Sequence, residues 1–347
     1  MYNIEELTLK ARNDHASDIH LVYGLPPKYR VDGRLESMAD VPLTEDDCIE
    51  LCQWLAEEQF DKLDYKGELD FSKNICGIRC RCHIFKQQGK LSAAIRLLSE
   101  TIPRLDSLGL PPSVPRFTKL HKGIVLVTGE TGSGKSTTLA ALLNEINHTR
   151  KDHIVTLEDP IEYIYKPDQC IINQREIGKD TESFSEGLRA SLREDPDVIL
   201  IGEMRDRDTI ETAITAAETG HLVFGTLHTD CASDAIDRMV QVFPEGMQNQ
   251  IRLQLSMTLV AVIAQQLLRK KTGGRVLASE VMLVTDAIRN MIRSGNTPQI
   301  ANAISTSSAI GGQTMDQCLA MLSRSRQIDK ELAMEYAKDK DFIRKNG

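Results

Sequence analysis

The segment Gly129-Glu130-Thr131-Gly132-Ser133-Gly134-Lys135-Ser136 fills every fixed position of the pattern G-x-x-x-x-G-K-[ST], and Thr137 follows it. This spacing suits one task. Glycines let backbone N–H groups close around phosphate oxygens, and a helix N-terminus beneath them adds positive potential. Lys135 reaches the terminal phosphates and Ser136 can ligand Mg²⁺. The loop therefore predicts binding of ATP or GTP. Three further segments carry groups suited to work on a bound triphosphate. Val155 to Glu162 places Glu158, Asp159 and Glu162 just past an apolar run that Pro160 ends. Carboxylates there can orient Mg²⁺, its waters or the attacking water. Asp197 to Glu203 is an apolar run that ends in Gly202-Glu203, and Glu203 is the candidate general base or water positioner. Gly220 to Thr229 has a histidine at each end. His228, at the carboxyl end, can donate to a phosphate, and His221 reads as structural.

These groups need elements that hold them together. From Phe117 onward the sequence alternates apolar β-branched runs with helical patterns, with strands expected at 124–128, 153–158, 170–173, 197–202 and 221–226. That order predicts an α/β domain with a mostly parallel sheet, whose ligands bind beyond the carboxyl ends of the strands. After about residue 245 the pattern predicts helix, with a long amphipathic stretch from Met247 to Leu268. The first 102 residues read as a smaller α+β domain. Asn3 and Thr44 are positioned as helix caps, the second helix is expected to run to Phe60, and Asp32-Gly33 marks a tight hairpin. Strands are expected at 17–23, 77–85 and 92–98, the second with Arg79 and Arg81 on one face and the third carrying Arg96. The proline-rich stretch 103–115 is the expected linker, and 116–347 the second domain.

Composition excludes several classes. The chain has 347 residues, a formal net charge of −8, 41% apolar and 27% charged residues. Acidity argues against a dedicated nucleic-acid binder, and no apolar run approaches the length of a membrane-spanning helix. Met1 to Glu6 lacks the basic start and apolar core of a signal peptide, so a cytoplasmic location is expected. None of the eight cysteines forms a C-x-x-C pair, which predicts buried or inert thiols in a reducing compartment rather than a zinc site.

The four motifs occur in one order: the loop through Lys135-Ser136, then Thr156–Glu162, then Ile201-Gly202-Glu203-Met204-Arg205-Asp206, then Gly220–Thr229. This set resembles the secretion ATPase superfamily that powers type II secretion and type IV pili. The segments look like its Walker A motif, Asp box, atypical Walker B motif and His box. In that superfamily a glycine before the Walker B glutamate is expected, as at Gly202. Ala16-Ser17-Asp18-Ile19-His20-Leu21 looks like its opening strand, so the resemblance spans nearly the whole chain. The short length, the missing C-x-x-C zinc element and Ala287-Ile288-Arg289-Asn290-Met291-Ile292-Arg293 are most similar to the PilT-like retraction ATPases. Met291 and Ser294 depart from that group's Leu and Glu.

The resemblance implies a PAS-like N-terminal domain, a RecA-like P-loop domain and a homo-hexameric ring. It implies nucleotide between the domains, closed over by motion about the linker, and arginines from the N-terminal domain at the phosphates; Arg79, Arg81 and Arg96 match those basic positions. ATP and Mg²⁺ are the implied cofactors. Pilus retraction is the implied work, performed at the inner membrane on a pilus platform protein, with a second retraction ATPase as a possible partner. The alternatives are an assembly or secretion ATPase of the same superfamily and a nucleotide-gated regulatory ring of low turnover.

Overall fold

A computed structural model of the chain describes residues 2–31, 33–98 and 101–347. They form two compact units, the first from residues up to Thr101 together with Pro160–Ile164, the second from Ile102–Asp159 and Tyr165–Gly347.

The first unit contains, in chain order, helix α1 (Ile4–Asn13), strands β1 (Asp18–Val22), β2 (Lys28–Val31) and β3 (Arg34–Ser37), helices α2 (Glu45–Ala56) and α3 (Leu63–Lys66), and strands β4 (Glu68–Ile75), β5 (Ile78–Gln87) and β6 (Lys90–Leu97). The strands make one antiparallel sheet ordered β3-β2-β1-β6-β5-β4. Local chemistry sets the helix starts. Asn3 accepts from the N–H groups of Glu5 and Glu6, and Thr44 shares a reciprocal capping box with Asp47. The second helix stops at Ala56 rather than Phe60, because Glu57 takes a positive φ of 50° and a 3₁₀ turn follows. Along β5 every second side chain is buried, which puts Ile78, Cys80, Cys82 and Ile84 in the core and Arg79 and Arg81 on the other face. Val31 pairs with Arg34 across the expected hairpin, whose Asp32 lies outside the described residues.

The second unit begins with 3₁₀ turns at Leu105–Leu108 and Val114–Lys119. Leu105, Ser113 and Val114 are buried, so the proline-rich stretch expected as the linker is partly packed into this unit. Its regular elements are β7 (Gly123–Thr128), α4 (Lys135–Thr149), β8 (His153–Glu158), β9 (Ile171–Glu176), α5 (Phe184–Ser191), β10 (Val198–Ile201), α6 (Arg207–Glu218), β11 (Leu222–Leu227), α7 (Ala232–Gln241) and α8 (Glu245–Thr258). Then come β12 (Leu259–Arg269), β13 (Arg275–Leu283), α9 (Asp286–Ser294), α10 (Ile300–Thr306), α11 (Met315–Arg324), α12 (Lys330–Tyr336) and α13 (Lys340–Asn346). The sheet order is β13-β12-β7-β11-β10-β8-β9, parallel throughout except for the antiparallel pair β12–β13. β7 and β11 are buried at every position, as strands covered on both faces must be.

One expectation is corrected. The stretch 247–268 is not a single helix: α8 ends at Thr258 and Leu259–Arg269 is a strand beside β7. Its run Leu259-Val260-Ala261-Val262-Ile263-Ala264 is apolar on both faces, a pattern that fits a buried strand and a buried helix equally. Here the run is paired on both sides, with β7 and with β13, and is therefore a strand. The helical C-terminal part begins after β13, at Asp286.

Candidate nucleotide site at one edge of the sheet

Strand register, not chain proximity, assembles the site. Thr128 at the end of β7 pairs with Leu227 at the end of β11, so Gly129 and His228 leave the sheet side by side. Ile201 at the end of β10 pairs with Leu157 in β8, which sets Gly202-Glu203 against Glu158. Four separated segments thus meet along one line at the carboxyl edge of a parallel sheet.

The loop after β7 owes its path to glycine. Gly129, Gly132 and Gly134 have φ of 139°, 82° and 93°, a region closed to most L-residues. A Cβ on Gly129 would also run into the Gln265 carbonyl oxygen on β12. Lys135 is buried, and its Nζ donates to the Gly129 and Glu130 carbonyls at 2.7 and 2.9 Å. Gly134 stands at the N-cap of helix α4 and offers no side-chain cap, and the buried Ser133 Oγ has no hydrogen-bond partner among the described residues. An uncapped helix N-terminus, a glycine-lined cradle and an orphaned hydroxyl fit an anion of phosphate shape. Ser136 is exposed beside the loop and Thr137 half-buried. Thr138, one residue further, accepts from Gln265 Nε2 at 2.8 Å.

Glu203 is held by partners on two sides. Its side chain is 19% exposed; Oε1 lies 3.2 Å from His228 Nε2 and also pairs with Arg205 Nε. The turn that carries it is tied on both flanks. Gly202 N–H donates to Leu157 O at 2.8 Å, Met204 N–H donates to Thr226 O at 3.1 Å, and the Thr226 hydroxyl donates to Gly202 O. Gly202 is needed for closeness: an added Cβ would lie 3.0 Å from Leu157 O and 3.3 Å from Glu158 Cα. At Gly225 an added Cβ would fall 2.7 Å from Met204 Cε, so the methionine side chain would have to shift. Glu158 Oε1 accepts from Thr156 Oγ1 at 2.7 Å and Gln174 Nε2 at 3.2 Å, which fixes the carboxylate at the end of β8. Asp159 is exposed beyond it.

Other expected residues belong to other elements. Glu162 belongs to Pro160–Ile164, which groups with the first unit rather than with Glu158 and Glu203. Arg79, Arg81 and Arg96 also sit in the first unit, each with partners there. Arg79 donates to Ser72 Oγ and to Ile161 O, Arg81 forms a two-point pair with Asp70, and Arg96 Nε lies 2.9 Å from Asp18 Oδ1. Although burial pushes the Asp18 carboxyl up, hydrogen bonds from Ser17 and Arg96 hold it below its ordinary value. In helix α9, Ile288 and Ile292 are buried and Met291 packs against the core, while Arg289 Nη1 donates to Ser256 O at 2.6 Å near the end of α8.

Sequence reasoning assigned no part to Arg205 or Gln265. Arg205 stands inside the quoted Walker B segment but makes its contact only once the turn after β10 is folded. Gln265 is a polar residue in an apolar run, which is the signal that could have marked it.

A parallel sheet with a phosphate-binding loop after one strand and acidic groups after its neighbours defines a P-loop nucleotide-binding protein. Comparison with known proteins narrows the class. Residues 78–327 match the family described as "Type II/IV secretion system protein". The type IV pilus retraction ATPase PilT of Pseudomonas aeruginosa is 45% identical over 339 residues, covering 97% of this chain and 98% of that protein. A twitching motility protein of Neisseria gonorrhoeae is 46% identical over 278 residues, covering 80% of this chain and 74% of its own. The crystal structure of the pilus retraction motor PilT with bound ADP superposes with a TM-score of 0.91 at 46% identity, covering 99% of this chain and all of that one. The chain belongs to the type II/IV secretion system protein family and is PilT-like within it.

Proposed function

We propose that this chain is an ATP-hydrolysing motor that powers type IV pilus retraction. The observation that carries the reading is the line of Gly129, His228, Glu203 and Glu158 along one sheet edge, in a chain alike along its whole length to a pilus retraction ATPase. Lys135 and the loop amides hold and neutralise the phosphates. Glu203 takes the proton of the attacking water, with His228 and Arg205 fixing the carboxylate that does so. Mg²⁺ would be held by Ser136, and Glu158 and Asp159 would orient its waters. Among the described residues no three His, Cys, Asp or Glu side chains converge as a metal cage, so phosphate oxygens and water would complete the coordination. The reading extends to Glu162 as a further water-orienting group and to Arg79, Arg81 and Arg96 as donors to the γ-phosphate. It further extends to a homo-hexamer acting on a membrane-embedded pilus platform protein, beside a second retraction ATPase, at the cytoplasmic face of the inner membrane. No helix among the described residues is long and apolar enough to cross a membrane.

Glu203→Gln is the direct test. It should lower steady-state ATP hydrolysis by roughly 10²-fold or more while leaving nucleotide affinity near wild type. Wild-type turnover in that variant would sink the assignment, and negligible turnover in the unaltered protein would favour a regulatory ring. Deletion of the gene should leave surface pili present or excessive and unable to retract. A cell without pili would point to assembly instead.

A further inference from the structure

Glu280 lies in the middle of β13, is 6% exposed, and has no part in the hydrolysis described above. Its Oε1 accepts the backbone N–H of Ala232, the first residue of α7, at 2.9 Å. Helix α7 has no backbone cap of its own: Cys231 stands at its N-cap, and its thiol meets the Ser233 hydroxyl rather than a backbone N–H of the first turn. Glu280 therefore caps α7 from another strand. The N–H of Met315, the first residue of α11, also favours the charged form of this carboxylate. Two helix N-termini thus converge on one buried acid, and each favours its negative charge. Lys338, just after α12, completes the cluster, and its charge attracts Glu280. Asp316 anchors that segment by accepting the N–H groups of Lys338 and Asp339 at 2.9 and 3.0 Å. Burial pushes the Glu280 carboxyl above its ordinary range, and the N–H groups of Ala232 and Met315 together with the Lys338 charge oppose that rise.

The position of α7 matters because His228 lies four residues before Ala232, on the turn that joins β11 to α7. That turn starts at a register-fixed strand end and finishes at the N–H held by Glu280. We propose that Glu280 is a positioning residue for hydrolysis: by fixing where α7 begins, it sets His228 against Glu203, and through Lys338 it ties the C-terminal helices to the same turn. The inference rests on the reading of Glu203 and His228 as hydrolytic groups. It assigns Glu280 no contact with nucleotide.

The test is a double-mutant cycle on the full chain, with MgATP turnover as readout. Glu280→Gln should lower kcat by about tenfold while KM changes less than about twofold, the split expected when a transition-state contact is lost. His228→Ala should lower kcat as well, and the double variant should be no slower than His228→Ala alone, since both act through one group. Losses that multiply, or a Glu280→Gln enzyme with wild-type kcat, would overturn the inference. Should Glu280→Gln fail to fold, Lys338→Met goes through the same cycle, with the same results deciding for and against. Glu203→Gln separates the two levels. If it retains turnover the hydrolytic reading itself falls, whereas an inactive Glu203→Gln beside a fully active Glu280→Gln removes only the role of Glu280.

Discussion

Gly202 carries no side chain, and that is its contribution. A methyl group here would press on the backbone of Leu157 and Glu158 at 3.0 and 3.3 Å, so without one β10 can end closely against β8 and bring Glu203 beside Glu158. The need is steric rather than conformational, because Gly202 is not among the residues with positive φ. Gly202→Ala should cost about 1–3 kcal/mol through overpacking and shift Glu203, lowering kcat as well. Urea denaturation with a parallel ATPase assay would reveal both changes. Gly246→Ala is the matched control: a Cβ there meets nothing within 4 Å, so stability should hold or rise by up to about 1 kcal/mol, as expected for Ala in a helix. Equal losses in the two variants would refute the steric account.

At the scale of elements, the site depends on where helices start. Helix α6 follows the Glu203 turn and is capped by Asp206, whose carboxylate accepts the Thr209 N–H at 2.9 Å and its hydroxyl at 2.8 Å. Asp206→Ala should destabilise the second unit by about 1 kcal/mol, and Asp206→Ser should recover most of that. Thermal midpoints of the two variants check the prediction; a midpoint unmoved in the alanine variant would count against the cap. Helix α7 shows the other solution, with its cap supplied by Glu280 from a different strand. The element most open to misreading was β12. Its apolar run fits helix or strand, and Gln265 within it, bonded to Thr138 beneath the phosphate loop, marks why a strand is required there.

At the scale of the whole molecule, the cysteines report on packing. All eight are free; Cys76 is exposed and the other seven are buried. Burial raises the Cys52 and Cys80 thiols to about 12 and pushes Cys82 higher still, so their reactive thiolates are scarce near neutral pH. A thiol reagent at pH 8 should therefore modify Cys76 rapidly and the remainder only on unfolding. A fast phase of several thiols per chain would show that the cores open more readily than their packing implies. Unfolding in denaturant should release all eight together only if both units lose structure in one transition; two labelling steps would indicate separate units.

The sequence alone was enough to identify the phosphate-binding loop, the strands β7, β8, β10 and β11, and the acidic and histidine positions at their ends. Each of these is a local signal: a spacing, a strand-length apolar run, or a residue type placed just past one. The caps at Asn3 and Thr44 were legible for the same reason, since capping joins residues only a few positions apart. What the tertiary structure alone decided is non-local. Which strand lies beside which determines that His228 faces Glu203 and that residues 259–269 are strand. Arg205, Gln265 and Glu280 gained partners only through that order, because side-chain contacts between distant segments follow from sheet register and helix packing, which no spacing along the chain encodes.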